Sequence, residues 1–227
     1  MKPCVYSFPS RHLPLASSFH HLIQSCLFIE KIQESSFMET MNHSKDKEEK
    51  TDQIRERYGK EACESVSLKR ISDDIMPHIL NLYGSCATAH DFEIYAPLAS
   101  FEDPLMCAHG MKQIKSAFYS LPKVFSESKI IEYSVEEHII SARRREITID
   151  NKQHYKFWGR NIDMISLIKL YIEDGKVVRH EDWWDKKPLW NRETVKLPLV
   201  GRILEMTRRG SMLATHAMMG FGKDPTV

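Results

Sequence analysis

The residues of this chain best suited to chemistry are a few acids and one histidine. Asp103 stands in Glu102-Asp103-Pro104, at the end of a short apolar segment. A carboxyl held among apolar side chains has its pKa raised and can take a proton from carbon near neutral pH. His180 and Asp182 alternate along one segment. On an extended strand they share a face with Val178 and Trp184, where they form an acid/base pair. Each feature also has a plainer reading. An Asp-Pro pair shapes a strand end, and His180 with Asp182 makes a hydrogen-bonded pair at a rim. As metal ligands, His180 and Asp182 are two donors without a nearby third, too few to fix a zinc ion. Neither a metal nor an organic cofactor is expected. Cys107 and His109, two residues apart on a loop, are weak grounds for a thiolate pair.

These groups need elements to position them, and the hydrophobic periods change along the chain in a readable order. Ile75, Ile79 and Leu82 recur at helical spacing after Ser72 or Asp73 as a cap, with Pro77 in or before the first turn. Leu98 to Glu102 reads as a short strand. Gly110 precedes a second amphipathic helix carrying Met111, Ile114, Phe118 and Leu121, stopped by Pro122. Ile131, Tyr133 and Val135 alternate with polar residues, the period of a half-buried strand. Segments 145–150 and 153–158 flank Asn151-Lys152, which predicts a hairpin there. Residues 162–172 are apolar on both faces and predict the central strand. Glu173-Asp174-Gly175-Lys176 is a hairpin turn, since Gly takes positive φ without steric cost. Helices followed by long antiparallel strands predict an α+β domain. Its curved antiparallel sheet forms a cone, with helices on the concave face. Residues 1–41 form a serine-rich leader without acids before Glu30, a composition like a transit peptide or a disordered segment. Residues 42–70 are a charged stretch, disordered or a solvated helix. Residues 71–187 form the cone, and 188–227 a helical tail in which Gly201 and Gly210 favour two short helices over one.

The 227 residues carry a formal net charge of +1, which argues against a nucleic-acid partner. No apolar run approaches the roughly 20 residues of a membrane span. Five cysteines, an odd number without a CxxC clip, fit a reducing compartment. The chain is expected in the cytoplasm, at the endoplasmic reticulum face, or in a plastid if the leader is a transit peptide.

The run Tyr95-Ala96-Pro97-Leu98-Ala99-Ser100-Phe101-Glu102-Asp103-Pro104, then Gly110, Ile114 and Phe118, then Tyr171 to Val177 leading into His180-Glu181-Asp182, resembles the nuclear transport factor 2-like (SnoaL-like) superfamily. The tail, with Pro188-Leu189-Trp190-Asn191-Arg192 and Ser211 to Met219, resembles its plant branch, which suggests an accessory factor of terpenoid (taxane-type) oxidation. The resemblance implies a cone with an internal pocket, in which Asp103 stands where ketosteroid-isomerase-like members carry a general base. That mechanism also asks for a Tyr and a protonated acid. Their expected positions fall near Ile79 and Leu167, with Tyr83 a turn away, so the isomerase machinery reads as incomplete.

The reading that follows is a non-catalytic binding or accessory protein. It holds an apolar metabolite or a partner enzyme, such as a membrane-bound cytochrome monooxygenase, and pairs with a second copy through the sheet. The alternative is a cofactor-independent isomerase, cyclase or hydrolase acting on a small hydrophobic molecule, with Asp103, His180 and Asp182 moving protons. In either case Tyr83, Tyr95, Phe101, Phe118, Tyr133, Trp158, Ile168 and Trp184 are the candidate pocket residues.

Overall fold

The computed structural model describes residues 70–189 and 198–225. The leader, nearly all of the 42–70 stretch and residues 190–197 of the tail lie outside the described residues. The first helix, α1, spans Ile71–Tyr83 and buries Ile75, Met76, Ile79, Leu82 and Tyr83. It starts before Pro77 instead of waiting for it. No side chain of its own caps it; the Ser72 amide donates to the Glu137 carboxylate at 3.0 Å. A 3₁₀ turn, Ala89–Ile94, follows, closed by a capping box between Thr88 and Asp91. Strand β1 spans Tyr95–Glu102 and β2 Cys107–His109. Gly110, at φ +74°, then turns the chain into α2, Met111–Val124, whose last turn contains Pro122. Four long strands complete the sheet: β3 Glu127–Ile139, β4 Arg144–Phe157, β5 Arg160–Glu173 and β6 Lys176–Trp184.

The strands form one curved, unclosed sheet in the order β2-β1-β6-β5-β4-β3. Only the β1–β6 pair is parallel. Cross-strand partners share a face, so the pairings Ile147 with Leu170, Ile149 with Ile168, and Ile168 with Asp182 define the inner face. Helices α1 and α2 cover it, and Ile79, Leu82, Ile114, Ile147, Ile149, Ile168 and Leu170 are fully buried between them. Truncating such a residue to Ala costs about 2–5 kcal/mol. The expected α+β cone with helices on the concave side is the observed architecture.

Three local expectations are corrected. Asn151-Lys152 is no turn, because β4 runs through it and keeps its period of two. Ile149, Asn151, Gln153 and Tyr155 all face inward and are buried. The turn lies at Trp158 and Gly159, with φ +46° and +76°, a pair of positive values that suits a two-residue hairpin. On β6, Tyr171 pairs with Arg179 but Ile172 pairs with Val177, so Val178 is an extra residue. That bulge puts Val177, rather than Val178, on the inner face with His180 and Asp182. Finally, the tail forms a single 21-residue helix, α3, Pro198–Met218, despite Gly201 and Gly210. It lies against α2 and β2, and this packing outweighs the weak helix propensity of two glycines.

Candidate functional site

Between the helices and the inner sheet face lies a cavity of about 290 Å³. Its walls are largely apolar: Phe101, Leu105, Met106, Phe118, Leu121, Val124, Phe125, Met164 and Trp184. Polar groups also converge on it, among them Tyr83 from the end of α1, Asp103 from the end of β1, Tyr155 from β4 and Asp182 from β6, with Ser120, Asp163 and Asp185 completing the lining. An apolar hollow with a few convergent polar groups is the usual form of a small-molecule site.

Asp103 does two things at once. Its Oδ1 accepts the amides of Leu105 (2.7 Å) and Met106 (2.5 Å), which folds the chain after β1 into a tight turn. Its Oδ2 accepts no hydrogen bond among the described residues. Burial pushes the carboxyl up to about 7, and Asp182 adds to this; the Met106 amide, the Arg208 guanidinium and the Leu105 amide hold it back. A carboxyl near 7 is half ionised at neutral pH, the state a general base needs.

Asp182 is the better partnered acid. Ser166 Oγ donates to its Oδ1; Tyr83 Oη (3.0 Å) and Gln153 Nε2 (3.3 Å) donate to its Oδ2. Burial still wins over these donors, and the pKa is raised. Behind Asp182 a chain of donors runs inward. Tyr95 Oη lies 2.7 Å from His180 Nδ1, and His180 Nε2 lies 3.2 Å from Tyr83 Oη. Burial pushes His180 down to about 3, so the ring is neutral. One arrangement satisfies every group: Tyr95 donates to Nδ1, Nε2–H donates to Tyr83, and Tyr83 donates to Asp182. Tyr155 Oη donates to Gln153 Oε1 at 2.6 Å, which fixes the amide that reaches Asp182.

The structure brings together Tyr83, Phe101, Asp103, Phe118, Asp182 and Trp184 around the cavity. It places others elsewhere. His180 is fully buried one layer behind the cavity, against its lining residues Tyr83, Phe101 and Phe118. Tyr95 supports His180 from further back, and Ile168 belongs to the core. Tyr133 sits on the edge strand β3 with half its surface exposed. Trp158, at 68% exposure, caps the hairpin turn and stacks on Phe157. Neither Tyr133 nor Trp158 lines the cavity: the helices do not cover Tyr133, and the turn carries Trp158 outside.

Sequence reasoning missed Gln153 and Ser166, which come from two different strands and meet only through register. It also missed Arg208, whose target is the far side of the Asp103 turn. The Tyr83 offset is explained too: as the last residue of α1 it reaches the cavity from the helix end, where Ile79 faces the core. Among the described residues no three His, Cys, Asp or Glu side chains are placed to hold a metal ion, and no helix is long and apolar enough to cross a membrane.

No protein-family model and no curated protein sequence matches the chain. Solved structures do, and they are nuclear transport factor 2-like folds. A type 2 hexachlorocyclohexane dehydrochlorinase (LinA) matches with a TM-score of 0.45 at 12% identity, over 50% of this chain and 82% of its own. A nuclear transport factor 2-like protein from Anabaena variabilis matches with a TM-score of 0.45 at 9% identity, over 56% and 95%. A protein of unknown function from Mycobacterium tuberculosis matches with a TM-score of 0.45 at 8% identity, over 69% and 92%. At these identities the likeness concerns the course of the chain and not its chemistry.

Proposed function

We propose that the chain is a cofactor-independent enzyme of proton transfer, an isomerase or eliminating lyase for a small hydrophobic molecule. The observation that carries this is Asp103, whose Oδ2 accepts no hydrogen bond among the described residues and which lines an apolar cavity together with Asp182. In the step this supports, a substrate C–H bond breaks and its proton goes to Asp103 Oδ2. The electron pair left on carbon forms a double bond, moving onto a conjugated carbonyl or expelling a leaving group. In an isomerisation Asp103 itself returns the proton to another carbon, and Asp182 lines the same cavity. The apolar walls exclude water, which strengthens both interactions.

The test uses 5-nitrobenzisoxazole, a bicyclic probe whose ring opens when a base removes one carbon-bound proton. The native protein should open it with a rate that rises through a midpoint near pH 7. Asp103→Asn should lower that rate by about 100-fold or more. Equal rates for the two proteins would overturn the proposal.

A second reading has its own supporting observation. Ile203, Met206 and Leu213 leave an apolar ridge of α3 exposed at 62%, 71% and 58%. Such a ridge suits an accessory role in which the cone holds a metabolite and α3 meets a partner enzyme, as in terpenoid oxidation at the endoplasmic reticulum face. On that reading Asp103→Asn binds the cavity ligand as well as the native protein does, and neither converts it.

A further inference from the structure

The tail reaches the cavity's acid from behind. Arg208, on α3, is 5% exposed although it is an arginine. Its Nε donates to the Asp103 carbonyl at 2.8 Å. Its Nη2 donates to Glu102 Oε2 at 3.0 Å and to the Met106 carbonyl at 3.3 Å. One planar guanidinium therefore spans both ends of the turn whose Leu105 and Met106 amides hold Asp103 Oδ1. The helix that carries it is fastened independently. His216 Nδ1 lies 2.8 Å from Ser116 Oγ, and Asp224 accepts from Lys115 (2.6 Å) and Tyr119 (2.8 Å) on α2. Gly222 passes so close to α2 that an added Cβ would lie 2.1 Å from the Lys112 carbonyl oxygen.

We infer that Arg208 is the positioning residue for Asp103, fixing the turn that presents the carboxyl to the cavity and supplying a cation behind it. The inference builds on the role proposed for Asp103, but its test reads Asp103 itself. The charged and titratable groups around the carboxyl are Tyr83, Tyr155, Asp163, Asp182 and Asp185, which line the same cavity, with Glu102 beside it and Arg208 behind it. Arg179, from β6, lies 3.8 Å from Glu102 and belongs chiefly to Glu181. Removing the Arg208 charge takes away a cation that favours the ionised form of Asp103, so that form is disfavoured.

The experiment follows the Asp103 carboxyl carbon by NMR against pH in the full chain, native and with Arg208→Gln or Arg208→Lys. Arg208→Gln should raise the Asp103 midpoint by about half to one pH unit. Arg208→Lys keeps the charge and should hold the midpoint. It loses the fork, however, so amide exchange at Leu105 and Met106 should quicken about ten-fold or more, while Ile149 and Leu170 stay protected. An unmoved midpoint in folded Arg208→Gln, or unchanged exchange in Arg208→Lys, overturns the inference. If Arg208→Gln does not fold, the lysine variant decides. If the midpoint moves as expected while the native protein leaves 5-nitrobenzisoxazole intact, the positioning role stands and the proton-transfer proposal falls.

Discussion

Two sets of covered aspartates in this fold are treated in opposite ways. Asp91, at the 3₁₀ turn, accepts from Asn81 (2.9 Å), the Thr88 amide (2.7 Å) and the Thr88 hydroxyl (2.8 Å), and pairs with His78 at 3.0 Å. Asp91 is itself buried, which pushes it up, but the donors on its two oxygens together bring its pKa below the usual value. Asp103 and Asp182 line the cavity. There burial outweighs the donors, and the pKa of each rises. A carboxylate with every lone pair used and its charge stabilised holds structure together. Asp103, with a free oxygen and a destabilised charge, stores proton affinity and has somewhere to use it, whereas Asp182 keeps a raised pKa with both oxygens bonded. The difference separates a capping acid from a reactive one without reference to any relative.

The comparison can be broken at either end. The largest effect should be on proton abstraction: Asp103→Asn loses about 100-fold or more, whereas Asp91→Asn stays within about two-fold, measured with 5-nitrobenzisoxazole at pH 8. Equal losses would erase the distinction. The next concerns stability against pH. Asp103 titrates near 7 in the fold and near 3.8 in an unfolded chain, so the folded state holds this proton more tightly. Its favourable contribution is fully present below about pH 4 and is lost as pH rises to about 7. Relative to Asp103→Asn, the native protein should therefore lose roughly 2–4 kcal/mol across that window, read from urea midpoints. Asp91 has the opposite slope: its contribution is present above its ordinary pKa and is lost on acidification. Asp91→Ala should accordingly cost about 2–3 kcal/mol at pH 7, because it strands the donors of Asn81 and Thr88. A cost under about 0.5 kcal/mol would mean that the cluster is ornamental. Smallest is Tyr83→Phe, which removes one donor from Asp182 and the acceptor of His180, and should lower stability by about 1–2 kcal/mol.

Much of the fold is legible in the sequence, and the reasons are local. The helical spacing of Ile75, Ile79 and Leu82 and the Asp174-Gly175 turn depend on neighbours a few residues away. Asn151 and Gln153 mislead because polar residues on an inner face imitate a turn; their burial is decided by strands above and below. Trp158 hides a turn because a bulky aromatic rarely takes positive φ, and only Gly159 beside it hints otherwise. The candidate site divides the same way. Asp103 is visible from its own segment, and Asp182 from alternation along β6. Ser166 and Gln153 become partners of Asp182 only through the pairing of β4, β5 and β6, and the Val178 bulge sets which residues of β6 face them. Arg208 meets Glu102 across 106 positions, a contact that no local pattern announces.

The central claim is that Asp103 is an acid tuned to neutral pH inside an apolar hollow. Titrating its carboxyl carbon by NMR in the native full-length chain tests this most directly. A midpoint near 7 is predicted. A midpoint near 3.8, the ordinary value for an aspartate, would contradict the account and leave Asp103 as the turn-forming residue its Oδ1 already makes it.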